Sequence, residues 1–279
     1  MLRTLKDLDG YAIHATDGII GHVRDFYFDD EAWVIRYLVV ETGSWLSSRK
    51  VLISAISIGH PDWVEKILPV SITKEQVKNS PDIDTDKPVS RQHEMHYLSY
   101  YGYSNYWGGG NLWGWGAYPL MMVPDYGGLV TNLRTADTED IDAEAREEAK
   151  QHQNDDIHLR SYKEVMGYHI AAEDGGIGHV QDLLVDDETW AIRYLIVNTS
   201  NWWIGHEVLI APQWILNVNW FEDKVSVALT QQAVQGAPPF NSGTQLTREL
   251  ELNIFKYYGR TAYWEHEARL EKKSFEKKN

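Results

Sequence analysis

Cysteine is absent from the 279 residues. That excludes disulfides, Cys-ligated zinc, iron–sulfur clusters of the usual type and thiol catalysis. Also missing is any apolar run of about 18 residues, and the leading MLRTLKDLDG lacks the apolar core of a signal peptide. The expectation is a soluble, cytoplasmic protein that does not span a membrane, with peripheral contact left open. Positive charge is scarce: 26 Lys and Arg stand against 41 Asp and Glu, for a net charge of −15. Binding to phosphate backbones depends on clustered cations that release counterions, so nucleic acid is not an expected partner, and an anionic bilayer is disfavoured for the same reason. No Gly-rich phosphate loop, nucleophile elbow or Ser-His-Asp order appears, and no cofactor is implied.

What is present is a duplication. Residues 20–40 read IGHVRDFYFDDEAWVIRYLVV and residues 177–197 read IGHVQDLLVDDETWAIRYLIV, with 14 identities in 21 positions at an offset of 157. The alignment runs without a gap from Leu2/Leu159 to Trp107/Trp264, a unit of 106 residues. Such a repeat is read before any motif, because each copy should bury its own core. Of the 12 Trp, four pairs recur at the same offset: Trp33/Trp190, Trp45/Trp202, Trp63/Trp220 and Trp107/Trp264. Most of the tryptophan excess is therefore architectural.

Within the first copy, Gly10 to Ile13 reads as a short strand and Asp17-Gly18 as a hairpin turn. A strand follows over Ile20–Phe28, broken by the turn-favouring acids Asp29-Asp30-Glu31. Trp33 to Val40 is apolar on both faces, as in a central strand covered on both sides. Val51 to Ile53 and Trp63 to Ile72 read as further strands, and Thr73 to Gln76 fits a capping box opening a short helix before Pro81. Short strands joined by tight turns, with no helix of a dozen residues between them, predict a small barrel whose closure removes exposed edges.

An aromatic tail ends each copy: Tyr97, Tyr100, Tyr101, Tyr103, Tyr106 and Trp107, with Tyr257, Tyr258, Tyr263 and Trp264 at the repeated positions. The fold class is thus mainly β: two small barrels in tandem, each with a short helical, aromatic tail, joined by a Gly-rich and then acidic helical linker. The divisions are 1–90, barrel one; 91–107, its tail; 108–157, linker; 158–247, barrel two; and 248–279, second tail with a Lys-rich end. In the linker, Leu112 to Val123 is expected to pack and not lie in water, and Thr138 to His152 to form a solvated acidic helix.

These residues resemble the PRC-barrel superfamily, the β-barrel shared by the cytoplasmic domain of the photosynthetic reaction centre H polypeptide and the C-terminal domain of a 16S rRNA processing factor. The resemblance is carried by Gly10-Tyr11, Asp17-Gly18, Ile20-Gly21-His22-Val23, Asp25, Asp29-Asp30, Trp33, Arg36 to Val40 and Val51 to Ile53. The second copy repeats it at Gly167-Tyr168, Asp174-Gly175, Ile177 to Val180, Asp182, Asp186-Asp187, Trp190 and Arg193 to Val197. The tails look like an extension of bacterial tandem members. The resemblance implies binding and assembly without a common catalytic centre. The chain departs from the reaction-centre polypeptide in lacking its N-terminal membrane helix and from the RNA-processing factor in lacking its N-terminal domain.

Candidate chemistry is weighed against scaffold roles. His22 and His179 lack a second ligand at matching spacing in both copies, so a structural role is preferred over metal binding or proton transfer. His93 and His96 could share a helical face, yet their repeat partners are Leu250 and Asn253. Asp25, Asp29, Asp30 and Arg36, with Asp182, Asp186, Asp187 and Arg193, are read as turn acids and a cross-strand Arg–Asp bridge and not as acid–base catalysts. No catalytic, cofactor or metal residue is assigned. The candidate interaction surface is Tyr100, Tyr101, Tyr106, Trp107, Tyr257, Tyr258, Tyr263 and Trp264, because Tyr and Trp dominate protein-interface hot spots. Packing of these tails within the molecule, including each tail crossing to the other barrel, is the competing reading. The expected function is a non-enzymatic module for protein–protein interaction, as a pseudo-symmetric monomer or homo-oligomer. The alternatives are an accessory of a photosynthetic electron-transfer complex, similar to the reaction centre H polypeptide, and an RNA-processing or small-ligand barrel.

Overall fold

A computed structural model describes residues 1–81, 91–107, 111–114, 116–123, 159–199, 207–265 and 267–268. The acidic linker helix expected at 138–152, Trp115, Trp202, Trp203 and the Lys-rich end lie outside the described residues. The chain divides into two compact, mainly β units. The first holds Asp7–Glu164 with Glu188–Ala191; the second holds Met1–Lys6, Val165–Asp187 and Ile192–Asn279.

In chain order the strands are β1 (Leu2–Thr4), β2 (Ala12–Ala15), β3 (Gly18–Asp29), β4 (Val34–Thr42), β5 (Lys50–Ser54), β6 (Ile67–Pro69), β7 (Leu159–Ser161), β8 (His169–Ala172), β9 (Gly175–Asp186), β10 (Ile192–Asn198), β11 (Glu207–Ile210), β12 (Ile215–Asn219) and β13 (Lys224–Val227). The helices used below are α1 (Lys74–Lys78), α2 (Arg91–Tyr101), α3 (Gln231–Gln235) and α4 (Arg248–Tyr257).

The first unit's sheet runs β5-β4-β3-β2-β6, and the second unit's runs β11-β10-β9-β8-β13-β12. Asp17-Gly18 turns β2 into β3 as expected, and Asp29 turns β3 into β4: its Oδ1 accepts from the backbone N–H of Glu31 at 3.1 Å and of Ala32 at 3.0 Å. β4 is buried from Val34 through Val40, which matches the two-faced apolar pattern of its sequence. Thr73 caps α1 with both arms of the capping box in place.

Two expectations are corrected. Trp63 to Ile72 is not one strand, because Asp62 folds it back: its Oδ1 accepts from Val64 N and Glu65 N at 3.0 Å each, and Lys66 turns left-handed at φ 56°. Only Ile67–Pro69 remains extended, and it pairs in parallel with β2. The sheets are also not closed by a continuous ladder. Among the described residues the seam of the first unit is a 3-10 turn at Ala55–Ser57 and a single bridge from Ile58 to Val70.

The strand that completes each sheet comes from elsewhere in the chain. In the first unit β7 pairs with β3 (Tyr27↔Ser161, Phe28↔Arg160, Asp29↔Leu159); in the second β1 pairs with β9 (Leu184↔Thr4, Val185↔Arg3, Asp186↔Leu2). The two registers coincide under the 157-residue offset. Each sequence copy thus supplies its leading strand to the sheet built from the following strands of the other copy. In the first unit Arg160 Nε bonds Asp30 Oδ2 at 3.0 Å, and in the second Arg3 Nε bonds Asp187 Oδ2 at 3.1 Å.

The repeated Ile-Gly-His-Val has a backbone cause. A Cβ on Gly21 would lie 2.0 Å from the carbonyl oxygen of Glu41, and one on Gly178 would lie 2.1 Å from that of Asn198. Both clashes fall on backbone of the neighbouring strand, which cannot swing aside as a side chain could. Gly21→Ala and Gly178→Ala should each destabilise the chain by about 1–3 kcal/mol. Denaturant unfolding measures this; an unchanged midpoint would mean that the strands do not approach this closely.

Candidate functional site

The duplicated charges and the aromatic tails meet in one arrangement, built once in each unit. In the first unit, Arg36 on β4 is buried and its Nη2 reaches Asp29 Oδ2 at 3.2 Å on β3. Its Nη1 donates to the carbonyl of Leu112 at 2.7 Å. The guanidinium lies 3.9 Å from the ring centre of Tyr106 and 4.6 Å from that of Trp113. Two aromatic faces supply a cation with quadrupole attraction while keeping water away. Trp113 is fully buried and its indole N–H donates to the carbonyl of Thr189 at 2.8 Å. Of the described residues between Leu112 and Val123, Trp113 and Met122 are buried as expected for packing, whereas Tyr118, Leu120 and Met121 are exposed.

Behind Tyr106 sits Glu94 of α2, fully buried, which accepts the Tyr106 hydroxyl. Tyr37 of β4 lies beside it, and burial, then the Glu94 carboxylate, pushes the Tyr37 phenol well up. Tyr97 ties α2 to β5: its hydroxyl donates to the carbonyl of Leu52 at 2.9 Å and accepts from Ser54 N at 3.1 Å. This tail helix therefore docks on the sheet of its own sequence copy. What crosses between copies is the leading strand and not the tail.

In the second unit Arg193 Cζ lies 4.0 Å over the ring of Tyr263, Nε lies 3.8 Å from Asp186 Oδ2, and Nη1 reaches Glu267 at 2.5 Å. Glu251 of α4 takes the place of Glu94 and accepts from Tyr194 at 3.0 Å and Tyr263 at 2.9 Å. Burial raises the Glu251 carboxyl, opposed by the Tyr263 hydroxyl, Arg248 and Tyr194. Arg248 pairs with Glu251 at 3.2 Å and lies 4.2 Å over the ring of Trp264. The shared plan is a strand arginine stacked on a tail tyrosine, whose hydroxyl is held by a buried helix glutamate. The plan differs where Arg36 bonds a backbone carbonyl and Arg193 bonds the Glu267 carboxylate, and in the stacking of Arg36 on Trp113, which the second copy lacks.

Of the eight candidate interface residues, Tyr106 is 3% exposed and belongs to this core. Tyr101, Trp107, Tyr258, Tyr263 and Trp264 are half-buried. Tyr106–Trp107 and Tyr263–Trp264 share one geometry, with centroids 4.9 Å apart and planes at 82°. Tyr100 and Tyr257 face outward, 41% and 43% exposed, with hydroxyls fixed on the carbonyls of Gln76 and Ala233 at 2.9 Å each.

The remaining charges hold backbone. Asp25 accepts Ser161 Oγ at 2.6 Å, Phe26 N at 2.8 Å and Lys163 N at 3.3 Å, which anchors β7 to β3; burial raises its carboxyl, opposed first by the Ser161 bond. Asp182 receives the backbone N–H of Lys6 at 3.4 Å in the matching place of the second unit. Sequence reasoning missed this use of Asp25, Asp30, Asp182 and Asp187. The signal available was Arg3/Arg160, which recurs at the offset of 157 beside the repeated acids. It also missed Trp113, which has no counterpart in the second copy and so carries no repeat signal. His22, His93 and His96 are exposed and His179 half-buried; among the described residues no three His, Asp or Glu side chains are grouped as metal ligands.

Residues 3–77 match the PRC-barrel domain, whose span takes in most of β1, all of β2 through β6 and most of α1. The chain carries a PRC-barrel domain. No curated protein matches it. The PRC-barrel segment contains Asp29 and Arg36, while Tyr106 and Glu94, which complete the buried cluster, lie C-terminal to it. Its first strand, β1, is the one that pairs with β9 in the second unit.

Removing the Arg36 cation should leave Asp29 buried without its partner. Arg36→Ala should therefore cost about 3–5 kcal/mol, whereas Arg24→Ala, at a solvent-exposed pair with Glu41, should cost under about 1 kcal/mol. Equal losses in chemical denaturation would contradict the burial argument. The tyrosines set a second expectation. Burial, the largest cause in each case, raises Tyr37, Tyr97, Tyr101, Tyr194, Tyr258 and Tyr263 well above the ordinary phenol range and Tyr103 to about 12. The unfolded chain loses these protons near pH 10 and the folded chain retains them, so stability is full below about pH 10 and lost as pH rises above it. Tyrosinate absorbance should then appear together with loss of near-ultraviolet dichroism. Tyrosinate formation in all of them with the dichroism intact would contradict the packing.

Proposed function

We propose that this chain is a cytoplasmic, non-catalytic protein with two PRC barrels in tandem that binds a protein partner. The observation that carries this reading is the fate of the duplicated ionisable groups. Arg36, Asp29, Glu94, Arg193 and Glu251 are consumed in holding tail to sheet, and Asp25, Asp30 and Asp187 in holding a strand. Among the residues facing outward at equivalent positions are the aromatic rings Tyr100 and Tyr257, each made rigid by its own hydroxyl bond. Aromatic anchors held in one conformation before binding lose little entropy when a partner covers them. The PRC-barrel domain at residues 3–77 supports a binding role, since the fold-level analogy supplies no chemistry of its own.

The test is quantitative capture of partners from the native host by the full chain and by Tyr100→Arg, Tyr257→Arg and the double variant, each checked for unchanged dichroism. A specific partner should be lost from the double variant and from at least one single variant. Full retention by the double variant would contradict the assignment of this surface.

A further inference from the structure

Two imidazoles stand opposite one another on the sheet of the second unit. The antiparallel pairing of β8 with β9 sets His169 directly against His179, and side chains at paired positions leave a sheet by the same face. That face is turned to solvent, with His169 exposed and His179 half-buried. On it His179 is followed by Asn198 of β10, whose side chain donates to Gln181 Oε1 at 2.8 Å, and Gln181 in turn donates to Glu207 of β11.

The histidine pair is of the close type. His169 turns its backbone N–H away from β9 and donates it at 2.8 Å to the carbonyl of Asp223, just before β13. His169 and His179 therefore meet where their own backbones exchange no hydrogen bond, the position at which the Cα atoms of an antiparallel pair are only about 4.5 Å apart and the side chains closest. The first sequence copy supplies an internal comparison. Its matching residues, Ala12 and His22, pair in the same register, so one copy presents a single imidazole here and the other presents two.

We propose that His169 and His179 together chelate a divalent late-transition-metal ion, with copper(II) held most tightly and water filling its remaining positions. Neutral imidazole is the commonest protein ligand for such ions and suits copper, nickel and zinc. Cβ atoms about 4.5–5.5 Å apart let two rings close on one ion at about 2.0–2.1 Å from each nitrogen. Calcium and magnesium require oxygen ligands and find none supplied by this pair. Lys224, the partner of His169 on β13, opposes the ion, but it is exposed and its charge sits on a flexible stem that can turn to solvent. The net charge of −15 favours the approach of any cation. The site uses neither Tyr100 nor Tyr257 and stands apart from the partner binding proposed above.

Copper(II) chloride titrated into the untagged, metal-stripped full chain, followed by calorimetry and electron paramagnetic resonance, should show one tight equivalent with two nitrogen ligands. His169→Ala and His179→Ala should each weaken it on the order of 10²-fold, because the second ring no longer binds at high effective concentration. The fold should tolerate the first of these, since alanine already stands at the matching position 12, and unchanged dichroism checks both. His22→Ala should leave the equivalent intact, zinc should bind the same pair more weakly than copper, and calcium should not compete. Absence of a tight equivalent, its survival in both single variants, or an equal loss in His22→Ala would each mean adventitious copper on scattered histidines at most, and would overturn the proposal.

Discussion

Three residues of extended backbone close a dependency that the rest of the fold rests on. In each unit the far half of the longest strand, β3 or β9, finds its second partner in the strand that opens the other sequence copy. Without β7, the backbone of Tyr27 to Asp29 would keep β4 but lose its partner on the other side, and with it the carboxylates of Asp25 and Asp30 would lose Ser161 and Arg160. Unpaired backbone in a buried sheet is costly, so the exchanged strand is a condition of the sheet and not an ornament on it.

The charged residues follow from the same economy. Asp29 shapes the β3–β4 turn with one oxygen and holds Arg36 with the other. That fixes the guanidinium as the floor on which Tyr106 and Trp113 stack, and Tyr106 in turn satisfies the buried Glu94. The chain of contacts links turn, sheet, tail helix and Gly-rich segment through one cation. In the second unit Arg193, Tyr263 and Glu251 do the same, with Glu267 at the position that backbone fills in the first. Among the described residues Arg36 Nε has no hydrogen-bond partner, while the bonds of its Nη1 and Nη2 and of Tyr106 tie turn, sheet and tail into one arrangement.

Much of this was legible beforehand. The Asp17-Gly18 turn, the two-faced β4, the capping box at Thr73 and the cross-strand Arg36–Asp29 pair follow from local rules of turn chemistry, periodicity and charge. The strand exchange was not legible, because β1 and β7 are three residues long and carry no periodicity, and because an internal repeat looks the same whether its copies keep or trade a strand. The folding back at Asp62 was hidden by the apolar alternation of Trp63 to Ile72, which one side-chain carboxylate overrides. Trp113 was hidden by the opposite cause, having no repeat partner, and only the fold reveals it as the lid over Arg36.

Amide hydrogen exchange on the full chain tests the exchanged strands most directly. Segments Leu2–Thr4 and Leu159–Ser161 should exchange as slowly as the interior strands β4 and β10 that share their sheets. Exchange of both segments at the rate of an unstructured chain, with β4 and β10 still protected, would contradict the account.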